Sequence, residues 1–293
     1  MPRAHEFIPD LSLRVLDNRI QLLEKLGSGS YGVVYRALEL DSADAFATRR
    51  TFAVKCMLRN EAHDCKKTFN IREIDVQRRV HSHPNILTIH EVLEDEDLVY
   101  IVCDFWEGGD LYNHIFMGSE SVFFGNDALL KSAFLQILEA VEFCHNNSVF
   151  HRDIKADNIL CSSDLSHIVV ADFGLATRRP ISRQFGCGTS YYQSPECLHH
   201  DVVDIRAYST KHSDIWSLGI VLINIISGRA PWARASMSDG CFEAFVQNPK
   251  WLRMHLPISE EAEKIICRML DPTPHRRITL EELKEEIKRV HTF

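Results

Sequence analysis

The amino-acid sequence predicts an α+β fold, with strands in roughly the first hundred residues and helices mainly later. Three observations indicate this: a glycine-rich turn between two β-rich segments, an apolar strand followed by a charged helix, and apolar or amphipathic helical runs further along. The chain has 293 residues, of which 45% are hydrophobic and 25% charged, a composition typical of a globular protein with a large core. One bilobal domain and two separate domains both fit that length.

The first predicted element is a strand over residues 20–26, which leads into the stretch GSGSYGVV at residues 27–34. Glycines there let the backbone approach a phosphate closely. A dinucleotide-binding fold would place such a stretch between a strand and a helix, but Val33 to Tyr35 continue as a strand, which favours a β-hairpin. The sequence lacks G-x-x-x-x-G-K-[ST], which disfavours a P-loop fold.

After a polar stretch at residues 41–44, residues 51–55 form a predicted strand that ends on Lys55. By itself Lys55 would be read as a surface lysine, but downstream of a glycine hairpin it is a candidate phosphate ligand. A helix is predicted from Lys66 to Val80, in which Glu73 is the acid suited to pair with Lys55, although a solvated helix face is the alternative. Two further strands are predicted at residues 87–93 and 98–103.

The most specific signal is HRDIKADN at residues 151–158, followed by DFG at residues 172–174. Phosphoryl transfer needs positioned cations and a hydroxyl held in line with the phosphate. Asp153 can accept the hydroxyl proton, and Lys155 can meet the γ-phosphate. Asn158 and Asp172 supply the oxygen ligands that magnesium prefers. The apolar run at residues 168–171 places Asp172 where a strand ends in a glycine turn.

The motifs GSGSYGVV, AVK, HRDIKADN, DFG, SPE and DIWSLG, in this order, resemble the eukaryotic protein kinases over roughly residues 16–290. The resemblance implies a bilobal fold with ATP in the cleft between the lobes. It divides the chain into an N-terminal extension (1–15), a small lobe of antiparallel sheet and one helix (about 16–103), a linker (104–109) and a mainly helical large lobe (about 110–291). Lys155 and Thr189 resemble the serine/threonine type, and FGCGTSYYQSPE is similar to fungal kinases of nutrient and meiotic control.

By the same resemblance, the cofactors are ATP and Mg²⁺, with Mn²⁺ as an alternative metal, and the partners are proteins with Ser or Thr acceptors. The residues that would line the ATP site are Leu26, Gly27, Gly29, Gly32, Val34, Ala53, Lys55, Cys103, Asp104, Trp106, Asp110 and Leu160. Lys55 would be paired with Glu73. Cys103, at the position behind the base, is small enough to leave a back pocket open, or it packs as a small hydrophobe.

Two acids are expected to select the substrate. Asp110 and Asp157 stand where basophilic kinases hold an arginine three residues before the phosphoacceptor, and two carboxylates can grip one guanidinium. Asn224 stands where some relatives carry a third acid, so we expect little demand at the residue two before the acceptor. The alternative is that Asp110 only caps the helix beginning at Leu111 and that Asp157 contacts ribose or solvent.

Regulation departs from the usual family pattern. Arg152 usually accompanies a phosphate on the activation segment, but Phe185 occupies the acceptor position. We expect activity without phosphorylation there, with Thr177 and Ser182 as candidates out of register. A second departure is Gln77, one turn after Glu73, where relatives carry an apolar side chain; it either weakens the packing or bonds to nearby backbone.

The later motifs are expected to be structural. Glu196 of SPE and Arg277 are predicted to form a buried ion pair, and Asp214 and Trp216 belong to the same scaffold. The apolar run 218–226 is predicted to be a buried helix, too short to span a bilayer, and residues 279–290 a closing amphipathic helix.

Composition limits the remaining possibilities. The formal net charge of -8 disfavours a nucleic-acid surface and suits basic peptides. Nine scattered cysteines without a C-x-x-C pair disfavour disulfides or zinc, and residues 1–10 lack a signal pattern, so we expect reduced thiols in the cytoplasm or nucleus. A monomer is also expected. The alternative is a pseudokinase, whose mark would be loss of Lys55, Asp153, Asn158 or Asp172; none is lost, although intact motifs can also sit in an inactive arrangement. A small-molecule kinase is disfavoured by the SPE and GTSYY stretches.

Overall fold

The computed structural model describes residues 7–29, 32–40, 49–59, 67–117, 121–198 and 206–293. The polar stretch at 41–44, Lys66 and the tip of the glycine-rich hairpin lie outside the described residues. The chain divides into two compact units, the first made of residues 1–82 and 87–107 and the second of residues 83–86 and 108–293.

The first unit contains one sheet and one helix. Its elements are β1 (Val15–Leu16), β2 (Ile20–Gly29), β3 (Gly32–Glu39), β4 (Thr51–Leu58), α1 (Lys67–Arg78), β5 (Ile89–Glu94) and β6 (Leu98–Asp104). The strands are antiparallel neighbours in the order β1-β2-β3-β4-β6-β5. The predicted glycine hairpin is β2–β3, and a side chain at Gly32 would lie 2.2 Å from the carbonyl oxygen of Cys56, so only glycine fits there.

The two faces of this sheet have different roles, because side chains alternate between faces along each strand. One face carries Val33, Tyr35 and Val54 in a buried core, and the N-terminal segment packs on it through Ile8 and Leu11. The backbone N–H of Leu11 also donates to the hydroxyl of Tyr35 (3.1 Å). The segment before residue 16, predicted as an extension, therefore contributes two buried side chains to this core.

The opposite face carries a second cluster, in which Ile74 of α1 packs against Met57 and Ile101. Ala53 and Lys55 lie on this same face of β4. Helix α1 thus packs on the same face of the sheet as Ala53 and Lys55, which are predicted to bind ATP.

The second unit is mainly helical. Its helices are α2 (Leu111–Phe116), α3 (Asp127–Asn146), α4 (Pro195–Leu198), α5 (Thr210–Ser227), α6 (Gly240–Gln247), α7 (Trp251–His255), α8 (Glu260–Met269) and α9 (Leu280–Arg289). Its strands are β7 (Ile159–Cys161), β8 (Ile168–Val170), β9 (Ile181–Ser182) and β10 (Tyr208–Ser209), paired antiparallel as β7–β8 and β9–β10.

Helix α5 is the centre of this unit, since every residue from Ser213 to Ile226 is buried. It contacts α3 and α8, and α9 packs on α3. The apolar run at 218–226 is thus a buried helix, as predicted. The closing helix is also present, begun by a capping box between Thr279 and Glu282.

The predicted α+β class is confirmed by the antiparallel sheet of the first unit and the helices of the second. Within the described ranges, none of the helices combines the length and the apolar character that a membrane crossing requires.

Candidate active site

In the first unit the predicted partners Lys55 and Glu73 form an ion pair, with Lys55 Nζ 2.6 Å from Glu73 Oε1. Lys55 is in register with Val34 of β3 and Ile101 of β6, so its position is fixed by the middle of the sheet. The Glu73 side chain is only 5% exposed, which strengthens the attraction between the two charges. Glu73 therefore holds the ammonium group of Lys55 at a defined position.

The other predicted ATP-lining positions of this unit follow from strand register. Gly27 is opposite Val34, Val34 opposite Lys55, and Ala53 opposite Cys103. Directly paired residues point to the same face, so Val34, Ala53, Lys55 and Cys103 share one face of the sheet. Leu26, 46% exposed, precedes Gly27 on β2.

Four further predicted positions lie around the hairpin end and just after β6. Gly29 and Gly32 are opposite each other where β2 gives way to β3. Asp104 is the last residue of β6, and its carboxylate is 2.6 Å from His90 Nε2. Trp106 follows two residues later. Burial raises the pKa of the Cys103 thiol to about 12, so this sulfur stays protonated at neutral pH.

In the second unit the catalytic candidates converge on Asp153. Its Oδ1 accepts from the backbone N–H of Thr189 (2.9 Å) and from the Thr189 hydroxyl (3.0 Å). Asn158 Nδ2 donates to the backbone carbonyl of Asp153 (2.9 Å) and to its Oδ2 (3.2 Å). Lys155 Nζ donates to Thr189 Oγ1 (3.0 Å) and lies 3.5 Å from Asp153 Oδ2. The structure thus brings Thr189 to the loop that carries Asp153, Lys155 and Asn158.

The carboxylate of Asp214, on helix α5, stabilises the backbone of the segment that leads into Asp153. It accepts from the backbone N–H groups of His151 (3.0 Å) and Arg152 (2.8 Å), and it lies 2.9 Å from His145 Nε2. Arg152 has a φ of 66°, a left-handed conformation that is costly without glycine. The buried carboxylate therefore stabilises a strained backbone immediately before Asp153.

The metal candidates lie at one end of the β7–β8 hairpin, because Asn158 precedes β7 and Asp172 follows β8. The backbone N–H of Ala171 donates to the carbonyl of Asn158 (2.8 Å), which ties the two segments together. Asn158 uses its Nδ2 for Asp153, so its Oδ1 is the atom left for a cation. The described ranges contain no cluster of three His, Cys, Asp or Glu residues placed to hold a metal. An oxygen pair such as Asn158 and Asp172 suits magnesium, which takes its other ligands from phosphates and water.

The predicted substrate acids are also in this unit. Asp110 caps α2, with its Oδ1 accepting from the backbone N–H of Asn113 (2.9 Å). The capping role that was predicted as the alternative to substrate binding is therefore present. Burial raises the pKa of Asp110, and the nearby negative charge of Asp157 raises it further. Leu160, also predicted to line the ATP site, forms a β-bridge with Asp110. Capping uses one carboxylate oxygen and leaves the other available.

Two predicted structural features are observed. Arg277 Nη1 and Nη2 each lie 2.7 Å from one oxygen of Glu196, so Arg277 rather than Arg276 is the partner. Gln77 is buried, and its side-chain amide nitrogen Nε2 donates to the backbone carbonyl of Leu87 (2.9 Å). The polar residue at this position is therefore bonded to nearby backbone.

The activation segment contains a contact that the sequence did not reveal. Phe185, which replaces the usual phosphate acceptor, packs against the ring of Tyr208, with 5.7 Å between centroids. Arg152 instead reaches Gln184, whose Oε1 accepts from Nη1 at 3.0 Å. No motif or periodicity relates two residues 32 positions apart, so this partner could be found only from the structure.

The family comparison agrees with this geometry. The family described as "Protein kinase domain" matches residues 20–287. The chain belongs to the protein kinase family. The bilobal kinase fold predicted from the sequence is thereby confirmed, and members of this family use ATP with a divalent cation.

Three relatives give the kinase a more specific context. A Schizosaccharomyces pombe protein named "Negative regulator of sexual conjugation and meiosis" is 38% identical over 94% of this chain and 61% of its own length. Serine/threonine-protein kinase VHS1 of Saccharomyces cerevisiae is 29% identical over 94% of this chain and 71% of its own length. CBL-interacting protein kinase 5 of Oryza sativa is 31% identical over 92% of this chain and 56% of its own length.

Relatives named as serine/threonine kinases confirm the predicted type at the level of the kinase domain. The similarity to fungal kinases predicted from the activation segment is likewise confirmed. The chain spans about 61% of the fission-yeast relative, so the properties of that whole protein do not transfer with the domain.

Proposed function

We propose that this kinase transfers the γ-phosphoryl group of ATP to Ser and Thr hydroxyls of protein substrates that carry a basic residue three positions upstream. The observation that carries this proposal is the arrangement around Asp153, whose carboxylate is bonded to Thr189 and Asn158 and lies beside Lys155. An acid held by a threonine and an amide, next to a lysine, is suited to receive a proton while charge develops on a phosphoryl group.

The chemical step requires little covalent work from the protein. Asp153 Oδ2 takes the proton of the acceptor hydroxyl while the hydroxyl oxygen bonds to the γ-phosphorus. The bond from that phosphorus to the β–γ bridging oxygen breaks, and ADP leaves. Lys155 neutralises charge on the phosphoryl oxygens. The bond from Lys155 to Thr189 Oγ1 keeps the lysine beside the acceptor position.

Magnesium is the metal that these residues suit best. Asn158 Oδ1 and the carboxylate of Asp172 would hold it, and it would neutralise charge on the phosphates when bound. Lys55, held by Glu73, would bind the phosphates as a point charge. Manganese, which also takes oxygen ligands, would be an acceptable substitute.

Substrate selection rests on Asp110 and Asp157. The raised pKa of Asp110 reflects burial and the negative charge of Asp157, a situation that a substrate guanidinium would relieve. Asn224 is buried, and its Nδ2 donates to the carbonyl of Arg229 (2.8 Å), so it offers no charge to a second basic residue. We therefore propose a preference for arginine at position −3 and little preference at −2.

We also propose that activity does not require phosphorylation at the position of Phe185. Phe185 packs on Tyr208 and cannot accept a phosphate on its ring. The two alternative acceptors, Thr177 and Ser182, are both buried in the structure. Their hydroxyls are therefore poor substrates for another kinase.

We further propose a monomeric protein that acts on proteins and not on nucleic acid, in the cytoplasm or nucleus; composition supports the choice of partner and compartment. The net charge of -8 suits basic peptides, and the cysteines show no disulfide or zinc spacing.

The test is turnover of ATP with a serine peptide that has arginine at −3. Wild type should phosphorylate the peptide, and Asp172→Ala should reduce kcat at least a hundredfold, the order expected when charge stabilisation is removed. Asp97→Ala, an exposed acid at the β5–β6 turn, is the matched control and should retain wild-type turnover. Peptide phosphorylation by Asp172→Ala at the wild-type rate would refute the proposal.

A further inference from the structure

Arg152, immediately before Asp153, is a buried charge whose guanidinium has no acidic partner in the described residues. Only 6% of the residue is exposed. Its side chain donates to the backbone carbonyl of Leu175 (2.7 Å), to Ser182 Oγ (3.4 Å) and to Gln184 Oε1 (3.0 Å). All three acceptors are neutral. A buried charge is stable only when its donors are satisfied, so these bonds fix where the activation segment lies.

From these contacts we infer that Gln184 is a positioning residue: its amide oxygen takes the place of an activation-segment phosphate on Arg152. The inference rests on the proposed kinase activity and explains why that activity would need no phosphate. Gln184 acts through Arg152 and touches neither substrate nor phosphate.

The segment on the N-terminal side of Gln184 is fastened to the rest of the unit. Strand β9 pairs with β10, with Ser182 opposite Tyr208. The Tyr208 hydroxyl donates to the carbonyl of Gln184 (3.1 Å), and Ser182 Oγ accepts from the backbone N–H of Gln184 (3.0 Å). The backbone of Gln184 is thus held on two sides, which leaves its side chain in position to meet Arg152.

The segment on the C-terminal side leads directly to the catalytic acid. Gly188 has a φ of 97°, and a side chain there would lie 2.5 Å from the carbonyl oxygen of Arg152. The next residue, Thr189, bonds to Asp153 through its N–H and its hydroxyl. A shift of the Arg152–Gln184 contact would therefore move Thr189 relative to Asp153, which affects the transfer step more than ATP binding.

Gln184 is itself solvent-exposed, so the expected effect is moderate. In phosphate-free protein, Gln184→Ala should lower kcat about tenfold, in line with loss of one hydrogen bond to a charged group. The KM for ATP should stay within about twofold, because the binding of ATP does not use Gln184. Gln184→Met, of similar length but without the acceptor, should behave like alanine. Gln184→Glu keeps an acceptor and adds charge, so its kcat should equal or exceed that of wild type.

The experiment uses bacterially expressed full chains, each shown by intact mass to carry no phosphate, and a thermal melt of each variant. Gln247→Ala, an exposed glutamine on α6, is the matched control and should keep wild-type kcat. Wild-type kcat in both Gln184→Ala and Gln184→Met, or a Gln184→Glu variant as slow as alanine, would overturn the inference.

Two outcomes separate this inference from the proposed function. A wild-type protein that is inert when phosphate-free but active after treatment with another kinase would overturn the role of Gln184 and leave the kinase activity standing. A wild-type protein that phosphorylates no peptide under either condition, while folded by its melt, would overturn both.

Discussion

Two buried arginines of the second unit are held in opposite ways. Arg277 is paired through both terminal nitrogens with Glu196 at 2.7 Å, donates to two backbone carbonyls, and lies over the ring of Trp216. Arg152 has only neutral acceptors on its guanidinium. The fully paired arginine belongs to the scaffold, whereas the other lies beside the catalytic acid. A buried charge without an opposite charge, such as Arg152, is therefore found where the position of the neighbouring segment can respond to a ligand or a modification.

The largest expected effect is on stability and comes from breaking the ion pair between Arg277 and Glu196. Glu196→Gln leaves Arg277 charged and buried without an anion, which should lower the free energy of unfolding by about 3–5 kcal/mol. Denaturant titration followed by tryptophan fluorescence measures it. Glu281→Gln, an exposed glutamate on α9, should change stability by less than about 0.5 kcal/mol. Equal stabilities for both variants would contradict the scaffold role.

Removing Arg152 should have a smaller effect on stability and a larger one on activity. Arg152→Met removes charge and donors together, so no buried charge is left behind, and the expected loss is about 1–2 kcal/mol. Its kcat on the serine peptide should fall more than about tenfold. The same titration and the peptide assay measure the two quantities. A stability loss as large as that of Glu196→Gln would show that the two arginines are equivalent.

Asp110 is a partly buried acid that, like Arg152, has no partner of opposite charge in the described residues, and with Asp157 it is proposed to bind the substrate arginine. In the described part of the chain the carboxylate of Asp110 has no ion pair and accepts one hydrogen bond, the cap from the backbone N–H of Asn113. Replacing arginine at −3 of the peptide by alanine should lower kcat/KM about tenfold for wild type, but by less than about twofold for Asp110→Asn. Asp97→Asn serves as control and should keep the wild-type ratio. Equal ratios in wild type and Asp110→Asn would remove Asp110 from substrate selection.

The smallest effect is the pH dependence of that preference. Since burial and Asp157 raise the pKa of Asp110, its carboxyl takes up a proton at a higher pH than an ordinary aspartate does. The arginine-to-alanine ratio of kcat/KM should therefore decrease on acidification, beginning at a higher pH than an ordinary aspartate would give, while the ratio for Asp110→Asn stays flat. Paired peptides in one buffer series measure this. A wild-type ratio that rises on acidification would contradict it.

The sequence predicted the contacts for which a turn signal or the resemblance to a known family supplied the geometry. The hairpin at Gly27–Gly32 was predictable because glycines between two β-rich segments favour a turn. The Lys55–Glu73 and Glu196–Arg277 pairs were predictable because the motifs around them resemble those of the protein kinases. The contact between Arg152 and Gln184 was not, and neither was the packing of Ile8 and Leu11 on the sheet. These depend on where segments far apart in the chain meet, which no local periodicity encodes.

The central claim is that neutral acceptors on Arg152 are enough for phosphoryl transfer. The most direct measurement is kcat of the wild-type chain on the arginine-containing serine peptide, before and after treatment with an upstream kinase, with phosphate content determined by intact mass. We expect the phosphate-free protein to be active and treatment to change kcat by less than about twofold, because Phe185 cannot carry a phosphate and Ser182, whose hydroxyl contacts Arg152, is buried. An inert phosphate-free protein that gains activity as phosphate is added to the activation segment would contradict the claim.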